Sequence, residues 1–191
     1  MMVTSVREEE QKKLHPYKFT LWVAIASIMM MFAGLTSAFI VKSNFTGWRT
    51  IDMPKIFWVS TVIILASSIT MLMAKKAFGQ REMQKYRIML AVTLILGLVF
   101  TVCQIVGFAQ LWEVGVRFKG SSGAGQFFYA ITGLHAIHVL GGIVAIAIFL
   151  IKSWFGKVKS YSMAPVDVLG IYWHFVDILW VYLMVFFLIA A

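Results

Sequence analysis

Charged side chains are scarce in this chain. Asp, Glu, Lys and Arg make up 13% of its 191 residues, whereas hydrophobic residues make up 61%. Soluble domains carry about 25% charged and about 45–50% apolar residues, so this composition excludes a soluble domain. Cysteine is scarcer still, because Cys103 is the only one. A single thiol excludes an internal disulfide and cannot build a two-thiolate copper centre.

What the chain has instead is long apolar runs with little or no charge. Each reaches or approaches the roughly 20 residues that cross a bilayer as a helix, and a backbone in lipid must bond to itself. The sequence therefore predicts an all-α integral membrane bundle with five transmembrane helices, preceded by a cytoplasmic polar tail at residues 1–18. The transmembrane domain covers residues 19–191, with spans at residues 19–41, 56–74, 88–111, 127–151 and 168–191.

The basic residues are distributed unevenly between the two ends of these spans. Twelve of the 17 Lys and Arg residues lie in the N-terminal tail and in the second and fourth loops, and the other five lie in the first and third loops. The positive-inside rule then places the N-terminus inside and the C-terminus outside. The net charge of +9 favours anionic membrane lipid as a partner. No nucleic-acid-binding fold is recognisable, so we expect no nucleic acid partner.

Small side chains predict which helix faces pack closely, because close approach of helices in a membrane uses Gly, Ala and Ser. One such face lies on the first predicted span and another lies on the second. Their members are Ser27, Gly34, Ser37 and Ala38 on the first span, and Ser60, Ser67 and Ser68 on the second.

Two spans carry ionisable side chains, each of which costs roughly 2.5 kcal/mol or more at the bilayer centre. His135 and His138 share a face of the fourth span, and His174 and Asp177 share a face of the fifth. From the helical rise, His138 and Asp177 lie roughly 20 Å and roughly 14 Å from the inner edge, and His135 and His174 roughly 24 Å and roughly 9 Å. We therefore expect Asp177 to be able to approach His138, and His135 and His174 to be too far apart to share a ligand.

These residue types leave four interpretations open. His138 and His174 could hold a haem, although an offset of roughly 11 Å in depth is unfavourable. Two histidines and one aspartate are possible metal ligands, but no second carboxylate or thiol supports them. A short series of titratable groups could carry protons. Alternatively, the side chains bond to one another, to carbonyl groups or to a neighbouring subunit, which satisfies groups that are costly when unpaired.

At these residues the chain resembles subunit III of the haem-copper oxidases, in its short five-helix bacterial form. The run FFYAITGLHAIHVLGG (residues 127–142) is similar to the family's Thr-Gly-x-His-x-x-His-Val pattern, and YWHFVDILW (residues 172–180) is similar to its terminal Trp-His-Phe-Val-Asp-x-x-Trp signature. LASSITMLMAKKAF (residues 65–78) is similar to its Ser-Ser-x-Thr stretch. The resemblance implies structural roles for Thr132, His135, His138, Trp173, His174, Asp177 and Trp180.

The resemblance also implies a non-catalytic subunit of a respiratory terminal oxidase in the bacterial cytoplasmic (inner) membrane. The expected partners are the catalytic subunit I, subunit II and membrane lipids, with a small subunit IV as a further candidate. Haem and copper are expected in those partner subunits, and this chain is expected to hold no cofactor or metal of its own but to bind phospholipid. The oxidase complex translocates protons, and no catalytic residue is expected in this chain, which would support proton uptake and turnover stability.

Two positions depart from the family pattern. ASIMMMF (residues 26–32) has Ile28 where the family often has a membrane glutamate, and Gly107, after Gln104, stands where a second glutamate is often found. The resemblance therefore does not extend to proton supply through those glutamates.

The electron donor of the complex is left open by this chain. The run at residues 172–177 is closer to the cytochrome c oxidase type, and a quinol oxidase or the related protein of a nitric-oxide reductase cluster is the alternative within the family. Outside the family, the alternative is a haem-carrying membrane anchor of a dehydrogenase.

Overall fold

Five long α-helices make up the part of the chain that the computed structural model describes, which is residues 16–43, 53–115, 123–155 and 163–190. All five are long and apolar enough to cross a membrane, which confirms the predicted membrane bundle. Each extends past its apolar run at one or both ends, and residues 1–15 of the predicted tail lie outside the described residues. The helices are α1 (Pro16–Ser43), α2 (Ile56–Gly79), α3 (Met83–Glu113), α4 (Gly123–Phe155) and α5 (Ala164–Ala190).

The outer surface of the bundle is apolar. Met30 is 77% exposed, Val62 68%, Ile105 62% and Ile137 64%, and each lies on a different helix. Soluble monomers rarely expose a contiguous apolar surface of more than a few hundred Å². A surface of this kind is suited to lipid, so the chain is a multi-pass membrane protein.

Helix α5 lies at the centre of the bundle. It contacts α1, α2 and α4, whereas α1 contacts neither α2 nor α3 within the described ranges. Of its membrane-spanning segment 44% is buried, against 22–28% for the other four helices. The α4–α5 pair therefore forms the middle of the bundle, with α1 on one side and the α2–α3 hairpin on the other.

A tight turn joins α2 to α3. Helix α2 ends at Gly79, and Arg81 adopts a left-handed conformation with φ of 61°. The backbone N–H of Glu82 donates to the carbonyl of Ala77, and that of Arg81 donates to the carbonyl of Phe78. These two bonds form the Schellman arrangement, which satisfies carbonyl groups at a helix end. The turn sets α2 and α3 antiparallel and in close contact along their length.

The two predicted small-residue faces have different outcomes. Ser60 and Ser67 of α2 are fully buried, as expected of a packing face. Ser27, Gly34 and Ser37 of α1 are exposed in the chain on its own, so this face does not pack within the described bundle. In lipid, small residues on an outer face and on an inner face give the same sequence pattern.

One ion-pair cluster joins three helices at one end of the bundle. Asp167 of α5 accepts from Lys18 of α1 at 3.1 Å and pairs with Lys75 of α2 at 2.9 Å. The two lysine side chains are 37% and 41% exposed, and exposed pairs contribute at most about 1 kcal/mol each. These ion pairs are informative mainly about helix position, because they place the start of α1, the end of α2 and the start of α5 at one depth.

Candidate functional site

The seven residues predicted from the sequence lie on the inner faces of α4 and α5, but they do not converge on one point. Five of them are at most 3% exposed, and the other two are half-buried. The buried five are Thr132, His135, Trp173, Asp177 and Trp180, and the half-buried two are His138 and His174.

His135 lies inside a box of aromatic rings. Its imidazole stacks on Trp180 with ring centres 5.2 Å apart and 29° between the planes. Phe32 and Phe100 meet it edge-on at 6.5 Å and 6.3 Å. Neither ring nitrogen has a hydrogen-bond partner among the described residues. Residues from α1, α3 and α5 thus meet at this α4 side chain through ring contacts.

His138 faces α1 and bonds within its own helix. Its Nδ1 donates to the carbonyl of Leu134 at 2.7 Å, and its ring meets Phe32 edge-on at 5.9 Å. The carbonyl of His138 accepts from the Tyr172 hydroxyl of α5 at 3.0 Å. No hydrogen bond joins His138 to Asp177, although the helical rise allowed the two to approach each other.

Trp173 fills the space between three helices. It is fully buried, and its ring lies against Gly97 of α3 and Gly142 of α4. A Cβ atom added at either glycine would come within 2.9 Å of the ring, which is closer than real Cβ contacts. The two glycines are therefore the positions that allow the indole to enter the bundle.

A row of hydrogen bonds joins α5 to α2. Ring nitrogens on α5 meet hydroxyl groups at two levels of α2, one at the consecutive residues Ser67 and Ser68 and the other at Thr61. The pairs are Trp173 Nε1 to Ser67 Oγ at 3.1 Å, Trp180 Nε1 to Thr61 Oγ1 at 3.0 Å, and His174 Nδ1 with Ser68 Oγ. Polar groups in lipid are costly when unpaired, so these bonds fix both the rotation and the depth of α5 against α2.

The sequence left open whether the polar side chains bond to one another, to carbonyl groups or to a neighbouring subunit. Within the described residues, His174 bonds to the Ser68 hydroxyl of α2. His174 and Asp177 do not bond to each other. The Ser68 hydroxyl lies beside Asp177 as well, yet neither carboxylate oxygen has a hydrogen-bond partner in the described part of the chain.

Thr132, the remaining polar residue of the seven, bonds within its own helix. Its hydroxyl donates to the carbonyl of Phe128 at 2.6 Å.

Within the described ranges, no three His, Cys, Asp or Glu side chains lie close enough together to hold a metal ion. His138 and His174 point to different helices, α1 and α2, so they do not face each other across a haem-sized gap.

At Gly107 and Ile28, the two positions that depart from the family pattern, the surrounding space is occupied by apolar side chains. A Cβ added at Gly107 would lie 2.8 Å from the ring of Phe57 and 3.1 Å from Ile56, which leaves no room for a glutamate there without moving α2. Ile28 packs as a partly buried side chain against the apolar core. Neither position holds a titratable group.

The hydroxyl partners on α2 were missed by sequence reasoning. Trp173 and Trp180 are seven residues apart, about two helical turns, so they share a face of α5. Their partners Ser67 and Thr61 are six residues apart, so spacing along α2 alone does not identify them. The Asp167 ion pairs were also missed, because they depend on helix depth.

Comparison with known proteins adds an independent finding. The family model for cytochrome c oxidase subunit III matches residues 11–190. A protein of Nocardia farcinica named probable cytochrome c oxidase subunit 3 is 31% identical over 162 residues, which cover 82% of this chain and 79% of that protein. The cytochrome c oxidase subunit 3 of Corynebacterium diphtheriae is 30% identical over 171 residues, covering 85% and 82%. That of Bacillus subtilis is 27% identical over 168 residues, covering 85% and 80%.

Proposed function

Because this chain belongs to the cytochrome c oxidase subunit III family, we propose that it acts in a terminal oxidase as a packing subunit and not as a carrier of a redox centre. A haem-copper oxidase subunit III works in a complex with other oxidase subunits. The proposed contacts are with subunit I, which would carry haem and copper, and with subunit II. The proposed electron donor to the complex is cytochrome c.

The proposal rests on the contacts that the buried polar side chains make within this chain. Trp173, His174 and Trp180 bond to hydroxyls of α2. The ring of His135 stacks on Trp180, and His138 bonds to a carbonyl of its own helix. These side chains hold helices together, which supports a role in the assembly and durability of the catalytic subunit.

The proposed location is the bacterial inner membrane, with the α2–α3 turn in the cytoplasm. The excess of Lys and Arg in the tail and in the second and fourth loops supports this orientation. The same residues favour binding of anionic phospholipid at that face. Reporter fusions in the α2–α3 turn and at the C-terminus should report opposite sides of the membrane, and a cytoplasmic signal from both would overturn the orientation.

We expect the purified single chain to show no haem absorbance and no stoichiometric copper or iron. The reason is that His138 and His174 face different helices and that the ring of His135 is enclosed by aromatic side chains. Optical spectra and metal analysis of the chain after removal of its partners would measure this. The same chain purified with its partners is the control and should show their haem. A Soret band that stays with the single chain and is lost in His138→Leu would instead favour the dehydrogenase anchor.

A further inference from the structure

An unpaired carboxyl group lies in the seam between α2 and α5. Asp177 is 2% exposed, and neither of its oxygens has a hydrogen-bond partner among the described residues. The Ser68 hydroxyl of α2 lies beside this carboxyl and bonds to His174 Nδ1. The other ring nitrogen of His174, Nε2, is also buried and unpartnered in the described part of the chain. Ser68 therefore stands between an imidazole and a carboxyl group.

The charge around Asp177 does not explain why a carboxyl lies there. Lys75 of α2 and Lys18 of α1 are both engaged by Asp167, seven residues before His174 on α5. On α4, His138 faces Phe32 and His135 stacks on Trp180. No cation of these helices is paired with Asp177 within the described ranges. An isolated buried carboxylate is strongly unfavourable, whereas the neutral acid is much less so.

The position of the group relative to the membrane edge is equally informative. Asp167 and its two lysines mark the end of the bundle at which α5 begins. His174 lies roughly 10 Å further along α5, and Asp177 roughly 5 Å beyond that. The order from that end inward is therefore the charged cluster, the imidazole, the hydroxyl and the buried carboxyl. In this order the imidazole and the hydroxyl lie between the charged end of the bundle and Asp177.

We propose that Asp177 is a proton-binding site inside the membrane, filled from the charged end of the bundle through His174 and Ser68. A hydronium ion gives its proton to His174 Nε2 and leaves as water. His174 Nδ1 releases its proton to Ser68 Oγ while the Ser68 hydroxyl passes its own proton to an Asp177 oxygen. His174 stays neutral with its proton moved from Nδ1 to Nε2, and the Asp177 carboxylate becomes a carboxylic acid. Release follows the same steps in reverse.

This site depends on the α2–α5 seam alone and not on the oxidase assignment. It accounts for three features together: the unpartnered oxygens of Asp177, the unpartnered Nε2 of His174, and the hydroxyl between them. It also gives the chain a titratable membrane group although Ile28 and Gly107 are apolar. If this chain proved to belong to a different complex, the proton-binding site would still stand, so the site and the oxidase role can fail separately.

Infrared spectroscopy of the full chain in lipid nanodiscs tests the site. We expect a carbonyl stretch of a protonated carboxylic acid at neutral pH that shifts in D₂O, shifts again with carbon-13 aspartate, and is absent in Asp177→Asn. The isotope assigns the band to one of the chain's three aspartates without any substitution, and Asp167, which pairs with two lysines, is a carboxylate. A wild-type chain without such a band, or a band that the aspartate label does not move, would overturn the proposed site.

The route is tested by a matched pair of serines. Ser68→Ala should keep the band but slow its exchange with D₂O by at least about tenfold, because the link between His174 and Asp177 is gone. Ser67→Ala removes the neighbouring hydroxyl, which serves Trp173, and should exchange at the wild-type rate. If Ser68→Ala exchanges as fast as Ser67→Ala, the proposed route is wrong.

Discussion

Gly142→Val should strongly destabilise the bundle, whereas Gly133→Val on the same helix should leave it nearly unchanged. A Cβ at Gly142 would lie 2.9 Å from the buried ring of Trp173, but a Cβ at Gly133 meets nothing within 4 Å. Overpacking of this kind costs about 1–3 kcal/mol, and more where the neighbour cannot move. Trp173 has little freedom to move, because its far edge lies against Gly97. Thermal unfolding of the purified chain in detergent, followed by helical circular dichroism, measures the difference.

The matched control removes the contribution of helix propensity. Both substitutions replace glycine by valine inside α4, so any intrinsic preference of valine for a helix is the same in each. The difference between them therefore reports the contact with Trp173. Equal stabilities of the two variants would mean that α4 and α5 do not pack as described.

Trp173→Ala should have the largest effect of any single truncation in the bundle. The indole is fully buried between three helices, and removal of a buried Trp or Phe costs about 3–5 kcal/mol. The lost hydrogen bond adds little, since the Ser67 hydroxyl still donates to the carbonyl of Ile64. Trp58→Ala is the control, because Trp58 is 53% exposed on the outer face of α2. The unfolding temperature of the Trp58→Ala variant should stay close to that of wild type.

A double variant makes the Trp173 prediction sharper. The cavity left by Trp173→Ala adjoins Gly142. The valine side chain of Gly142→Val should therefore fit into that cavity. The double variant Gly142→Val/Trp173→Ala should then be more stable than the sum of the two single effects predicts. Coupled neighbours typically differ from additivity by about 0.5–3 kcal/mol. Strict additivity would contradict the contact between the two positions.

Hydropathy is sufficient to predict the five spans and to identify the polar residues inside them. Hydropathy does not predict how each helix is rotated about its own axis, because the side chains that face lipid are as apolar as those in the core. Ser60 and Ser67 lie inside and Ser27 and Ser37 lie outside, yet the sequence pattern around them is alike. Small residues alone therefore do not show whether a face packs inside the chain, as on α2, or lies on its outer surface, as on α1.

The polar cluster shows the same limit at the level of side-chain partners. The depth of His174 and Asp177 follows from the helical rise, so their separation from His135 could be predicted. Which helix His174 meets could not, because α2, α4 and α1 all lie beside α5. The pairing of His174 with Ser68 depends on how far α2 is rotated. The shared face of Trp173 and Trp180 on α5 does not by itself reveal which hydroxyls of α2 they meet.

The composition of the complex that contains this chain tests its role as an oxidase subunit most directly. We expect an affinity-tagged chain, extracted from its own membranes in mild detergent, to elute with a haem- and copper-containing catalytic subunit identified by mass spectrometry. Gly142→Val should lower the yield of that complex, and Gly133→Val should not. Elution of the wild-type chain with dehydrogenase subunits, or with no haem-copper subunit at all, would contradict the proposed role.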